Sequence, residues 1–127
     1  TNPQRMYIAV SAAGCYRTDD GGQTWAPYNK NVRADFMPDR FPEFGQCVHK
    51  MAMHPSTPNL IYQQNHCGVY RSDNAGEDWI DIGDGKLPSR FGFPVAVHPT
   101  DPRTATIPFS GEGLPNPVSA PASVGSA

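Results

Sequence analysis

The chain has 127 residues with 14 prolines, 12 glycines, 10% aromatic and 17% charged residues, and a formal net charge of −2. With no Lys/Arg cluster and no apolar run of membrane-spanning length, that balance gives no footing for nucleic-acid or membrane binding. Three cysteines is an odd count, which argues against a dedicated disulfide scaffold.

The chain opens on Thr1-Asn2-Pro3-Gln4, a turn that recurs as Ser56-Thr57-Pro58-Asn59 and Thr100-Asp101-Pro102-Arg103. Proline beside Asx or hydroxyl residues marks a tight turn between strands. His54-Pro55 and His98-Pro99 precede the second and third copies, and a repeated position reads as structural. After each turn comes a short apolar run. A first unit then supplies strands at about 6–11, 15–18 and 24–28. A complete unit follows with strands at 47–53, 60–65, 69–72 and 79–82, and a third begins at 93–97. Four short antiparallel strands with turns every few residues describe one blade of a radial β architecture.

Residues 14–25 and 68–79 are one twelve-residue motif written twice, identical at six positions. Each copy reads Ser/Thr-x-Asp/Asn-x-Gly-x-x-Trp: Thr18, Asp20, Gly22 and Trp25 in the first, Ser72, Asn74, Gly76 and Trp79 in the second. The Asp or Asn side chain bonds backbone amides across the turn, glycine supplies positive φ, and the indole plugs the gap under the returning strand. An offset of 54 residues suits one supersecondary unit of a repeat protein.

The motif resembles the Asp-box of BNR-repeat β-propellers, the family of sialidases, xyloglucanase-type hydrolases and sortilin-like receptors. Over residues 1–109 the chain resembles bacterial members labelled glycosyl hydrolases or exo-sialidase-like. The resemblance implies an all-β partial propeller of about two four-stranded antiparallel blades, with blade segments at 1–29, 46–82 and 93–109. It also implies a functional face opposite the Asp-boxes. Closed propellers have about four to eight blades, so the remaining blades of a longer chain are expected partners. Residues 110–127 are rich in Pro, Ala, Ser and Gly and read as a disordered low-complexity tail.

Strand parity puts the loops 29–46, 63–68 and 83–93 on the face away from the Asp-boxes. The first carries Asp35, Asp39 and Glu43 among Phe36, Phe41 and Phe44; the second is Gln63-Gln64-Asn65-His66-Cys67. Carboxylates, amides and aromatic platforms suit a face that binds or cleaves sugar. Asp35, Asp39 and Glu43 are therefore the candidate acids or bases, and Gln46, His49, Gln64 and His66 the candidate ligand contacts. Carbohydrate or another small ligand is the expected partner, with a non-catalytic scaffold as the competing reading. Arg17 and Arg71 sit in the Asp-box strands and form no identifiable sialidase arginine triad.

No cofactor is expected and no metal is assigned. Hairpin counting about Thr57 nevertheless sets Cys47 opposite Cys67 and His49 opposite Asn65. That register leaves three readings open: a Cys₂His metal cluster of Cys47, His49 and Cys67, a Cys47–Cys67 disulfide, or two buried thiols beside a hydrogen-bonded histidine.

Overall fold

The computed structural model describes residues 2–87, 89–108 and 121–124, and within them every regular element is a β-strand. β1 (Met6–Val10), β2 (Gly14–Thr18) and β3 (Ala26–Pro27) form one antiparallel meander. β4 (Val48–Met53), β5 (Ile61–Asn65), β6 (Gly68–Ser72) and β7 (Ile80–Asp81) form the second, a complete four-stranded blade. The third sheet has β9 (Ala105–Pro108) between β8 (Ala96–Val97) and β10 (Pro121–Val124). β8 begins three residues later than its apolar run because Pro94, lacking an N–H, cannot join a ladder. Most of 110–127 lies outside the described residues. Inside it, Pro121–Val124 pairs with β9, from Pro121 opposite Pro108 to Val124 opposite Ala105, where a disordered tail was expected.

The twin turns close on matching hydrogen bonds. The Thr18 hydroxyl donates to Asp20 Oδ1 (2.7 Å) and accepts from the Gly22 amide (2.9 Å), while Asp20 Oδ1 accepts from the Thr24 amide (2.9 Å). Ser72 donates to Asn74 Oδ1 (2.9 Å) and accepts from the Gly76 amide (2.8 Å), and Asn74 Oδ1 accepts from the Asp78 amide (3.0 Å). Gly22 and Gly76 both need the left-handed region, at φ 95° and 93°. An aspartate and an asparagine serve alike here because each offers the Oδ1 acceptor these bonds share, while the second atom adapts: Asp20 Oδ2 accepts from the Thr24 hydroxyl and Asn74 Nδ2 donates to Asp78.

The sheets stack through two apolar layers. Ile61 and Tyr70 of the second sheet, with Trp79, meet Cys15 and Val32, and Tyr7 and Tyr28 pack against this layer. On the opposite face Leu60, Tyr62, Val69 and Ile82 meet Val95, Ala105 and Ile107. β5 and β6 are consequently buried at every position, on both faces. Their side chains alternate between the neighbouring sheets with the period of two that a pleated strand imposes.

Among the described residues, the first sheet has a neighbour on one face only. Met6, Ile8 and Val10 alternate along β1 and are 41%, 43% and 37% exposed, beside Trp25 at 37%. Register makes them the counterparts of Ile61, Gln63 and Asn65, since Met6 pairs with Thr18 as Ile61 pairs with Ser72. Those three are fully buried. The two tryptophans divide in the same way. Trp79 is 2% exposed and its indole N–H donates to the Tyr28 carbonyl of the first sheet (2.9 Å), whereas Trp25 donates within its own turn, to Gly22 O (3.2 Å). Arg17 adds a polar clamp at the turn end: its guanidinium reaches Ala75 O (3.1 Å) and Glu77 Oε1 (2.8 Å) and lies 3.9 Å from the centre of the Tyr28 ring.

Candidate functional site

β5 and β6 pair from Ile61 opposite Ser72 to Asn65 opposite Gly68. Their hairpin tip, His66-Cys67, therefore lies at the other end of β6 from the twin turn that follows Ser72. Two long loops gather at that tip. From 29–46, the Asp35 amide donates to Cys67 Sγ (3.4 Å), the Arg33 amide to Tyr70 Oη (3.3 Å), and the Phe36 ring lies edge-on to His66, with centroids 5.8 Å apart. From 83–93, the carbonyls of Arg90 and Gly92 accept from Gln64 Nε2 (3.3 Å) and His49 Nδ1 (2.6 Å). The His66 amide donates to Cys47 O (2.9 Å).

Burial separates braces from surface. Gln46 is fully buried and its amide N–H groups donate to the carbonyls of Val32 (3.2 Å) and Pro42 (2.6 Å), folding the first loop on itself. Gln64, also buried, ties Asn65, Gly68 and Arg90 carbonyls together. Both were expected to contact a ligand; the structure places them under the surface, where their side chains hold the loops. Asn29 does the same for the loop's start, bonding the Cys15 amide (2.7 Å) and the Glu43 carbonyl (2.9 Å).

What remains accessible is an open cleft of about 640 Å³ lined by Arg33, Asp35, Phe36, His66, Arg90 and Phe91, among others. Among the described residues Asp35 is its one carboxylate. Desolvation pushes that carboxyl up, but hydrogen bonds and charge from Arg33 (3.0 Å) and Arg40 (2.9 Å) outweigh it and hold Asp35 below the usual carboxylate range. It is an anion at neutral pH, suited to stabilise positive charge. Arg90 is fixed by Asp81 and by Asp84 (2.6 Å).

The other two candidate acids lie elsewhere. Asp39 caps its own turn by accepting from the Phe41 amide (3.0 Å). Glu43 lines a separate hollow with Tyr28, Lys30 and Phe41. Arg90 and Phe91 line the cleft although neither was expected as a site residue; they come from the third loop, 83–93, which strand parity placed on this face. Tyr70, behind the cleft, is held protonated, its pKa pushed up to about 12 chiefly by burial.

The cysteine geometry differs from the simple hairpin count. β4 and β5 pair regularly from Met53 opposite Ile61 to Lys50 opposite Gln64, but Val48 is opposite Asn65, so His49 is an extra residue at a bulge. A bulge inserts one residue and shifts everything beyond it by one. Cys47 consequently faces His66, not Cys67. All three cysteines are free thiols, which removes the Cys47–Cys67 disulfide, and Cys67 drops out of the Cys47, His49, Cys67 cluster because its sulfur turns to the Asp35 amide. His66 takes its place: Cys47, His49 and His66 each present a ligand atom within 4.8 Å of the others. Cys15 is buried, and burial pushes its thiol up to about 12, so it is inert packing.

No family model and no curated protein matches the chain. Among solved structures it is similar to an ancestral GH74 enzyme, with a TM-score of 0.60 at 16% identity over 82% of this chain. The chain spans 12% of that enzyme's length. Likeness at that identity speaks for architecture alone, and it agrees with the stacked antiparallel meanders: the chain is all-β, a partial β-propeller.

Proposed function

We propose that this chain forms adjoining blades of a longer BNR-repeat propeller, and that the loop face opposite the twin turns binds carbohydrate in a glycoside hydrolase. The cleft carries this reading. Guanidinium groups fixed by carboxylates, an ionised Asp35, the exposed Phe36 ring and the half-buried Phe91 ring combine directional hydrogen bonding with aromatic surface, which is how a polyhydroxylated ring is held. The likeness to a GH74 enzyme, in a class of propeller-type glycoside hydrolases, supports the same assignment. So does the hydrogen bonding of the twin turns, which suits Asp-boxes. The Met6-Ile8-Val10-Trp25 face fits a preceding blade, because its counterpart on the second sheet is covered by the first.

Hydrolysis of a glycosidic bond uses two carboxylates in most families. Asp35 is the one this cleft offers, as nucleophile or electrostatic stabiliser, and the acid partner then comes from other blades. A non-catalytic binding propeller is the second reading, favoured by that single carboxylate. The test is made on the longer protein containing these blades. Asp35→Asn is expected to abolish polysaccharide hydrolysis while Asp39→Asn and Glu43→Gln leave it within about threefold. Loss of binding without turnover in the parent assigns the non-catalytic role. Full activity in Asp35→Asn removes the cleft from the chemistry.

A further inference from the structure

We infer that Cys47, His49 and His66 form a binding site for a borderline divalent metal of the zinc type, with one coordination position open to solvent. The ligand atoms already lie within 4.8 Å of one another. Zn–S and Zn–N bonds of about 2.3 and 2.0 Å require tetrahedral ligand spacings of roughly 3.3–3.5 Å, a closure of about an ångström that side-chain rotation supplies. One thiolate and two imidazoles select zinc, cobalt or copper over calcium and magnesium, which prefer oxygen.

Features around the three residues favour a built site. The Gly92 carbonyl can only accept, so His49 Nδ1 carries the proton in their 2.6 Å hydrogen bond and the lone pair of the neutral ring stands on Nε2. A carbonyl partner on the far nitrogen is the usual support of a metal-binding histidine. Rings fix both imidazoles: His49 stacks on Phe93 (4.6 Å, 17° between planes), and His66 meets Phe91 and Phe36 edge-on at 5.0 and 5.8 Å. The His66–Cys47 backbone hydrogen bond sets the cross-strand spacing, and the bulge at His49 turns what would be a Cys47–Cys67 pair into this cluster. Cys47 and His49 are half-buried and His66 is exposed, so the free position faces solvent. Three protein ligands with an open fourth position is the arrangement of catalytic rather than structural zinc.

The test is titration of the chain with Co²⁺ as probe, followed by displacement with Zn²⁺. It reads the ligand field, so it holds whether the chain is monomeric or associated, and it involves no carbohydrate, so its outcome is separate from that of the glycan assay. Expected are one equivalent of Co²⁺, tetrahedral d–d bands, a thiolate-to-cobalt charge-transfer band, and loss of both on adding Zn²⁺. Cys47→Ser abolishes the charge-transfer band, and His49→Ala or His66→Ala weakens binding at least tenfold. Cys15→Ser and Cys67→Ser, which keep all three ligands, retain the band. The proposal is overturned by absence of the band in chain whose circular dichroism shows strand. Its persistence in Cys47→Ser, or its loss in a folded Cys67→Ser, overturns it equally.

Discussion

Replacing each twin-turn tryptophan by alanine separates the stacking of the blades from the closure of the turns. Trp25 and Trp79 hold the same place in the repeat, yet 37% of the first and 2% of the second is exposed. A tryptophan buries up to about 250 Å², so the difference of 35% is roughly 90 Å². At about 25 cal/mol per Å² that area corresponds to about 2 kcal/mol. Each indole donates one hydrogen bond, Trp79 to the Tyr28 carbonyl and Trp25 to Gly22 O, so these bonds largely cancel in the comparison. Trp79→Ala should therefore cost about 2 kcal/mol more than Trp25→Ala, a difference in which the uncertainty of the unfolded reference largely cancels. Urea unfolding followed by circular dichroism, in an Ile8→Lys background that keeps the chain monomeric, measures both. With m near 1–3 kcal/mol/M, the midpoints of the two variants should differ by about 0.7–2 M. Equal losses would show that the indole acts only inside its own turn, and the stacking argument would fail. In a longer protein carrying a blade against β1, the two costs should converge.

The twin turns also differ in charge. Hydrogen bonds from the Thr24 hydroxyl and amide, then from Thr18, hold Asp20 at about 2, below the ordinary 3.8. A lowered folded-state value contributes stability that is complete above about pH 4 and is lost as pH falls through about 2. Asp20→Asn, copying Asn74, should keep the fold at pH 7 and lose less stability than the parent between pH 5 and pH 2; identical acid slopes would refute this. The apolar face of Met6, Ile8, Val10 and Trp25 is large enough to drive association of the isolated chain. Light scattering should find oligomers, and Ile8→Lys should shift them toward monomer; a monomeric parent with cooperative unfolding would mean that the face needs no cover.

The short apolar runs, the Pro-Asx turns and the duplicated Thr/Ser-Asp/Asn-Gly-Trp pattern are local, and local chemistry was enough to place β4, β5, β6 and the twin turns. Strand parity follows from chain direction, so the gathering of loops 29–46, 63–68 and 83–93 at one end was also legible. Side-chain roles inside those loops were not. Gln46 and Gln64 read as ligand contacts because polar residues in loops are normally exposed; only the packing of two long loops over one hairpin tip buries them as braces. Asp35, Asp39 and Glu43 are equivalent as residue types, and what separates them is which neighbours reach them: Arg33 and Arg40 in the cleft, an adjacent amide, or a different hollow. The register at Cys47 turns on the bulge at His49. No residue pattern marks that bulge, because one extra residue leaves composition and apolar alternation almost unchanged while moving every side chain beyond it to a new partner. Sequence determined the blades and the end where the loops gather; tertiary structure decided which side chains line the cleft there, since burial and register depend on contacts between segments far apart in the chain.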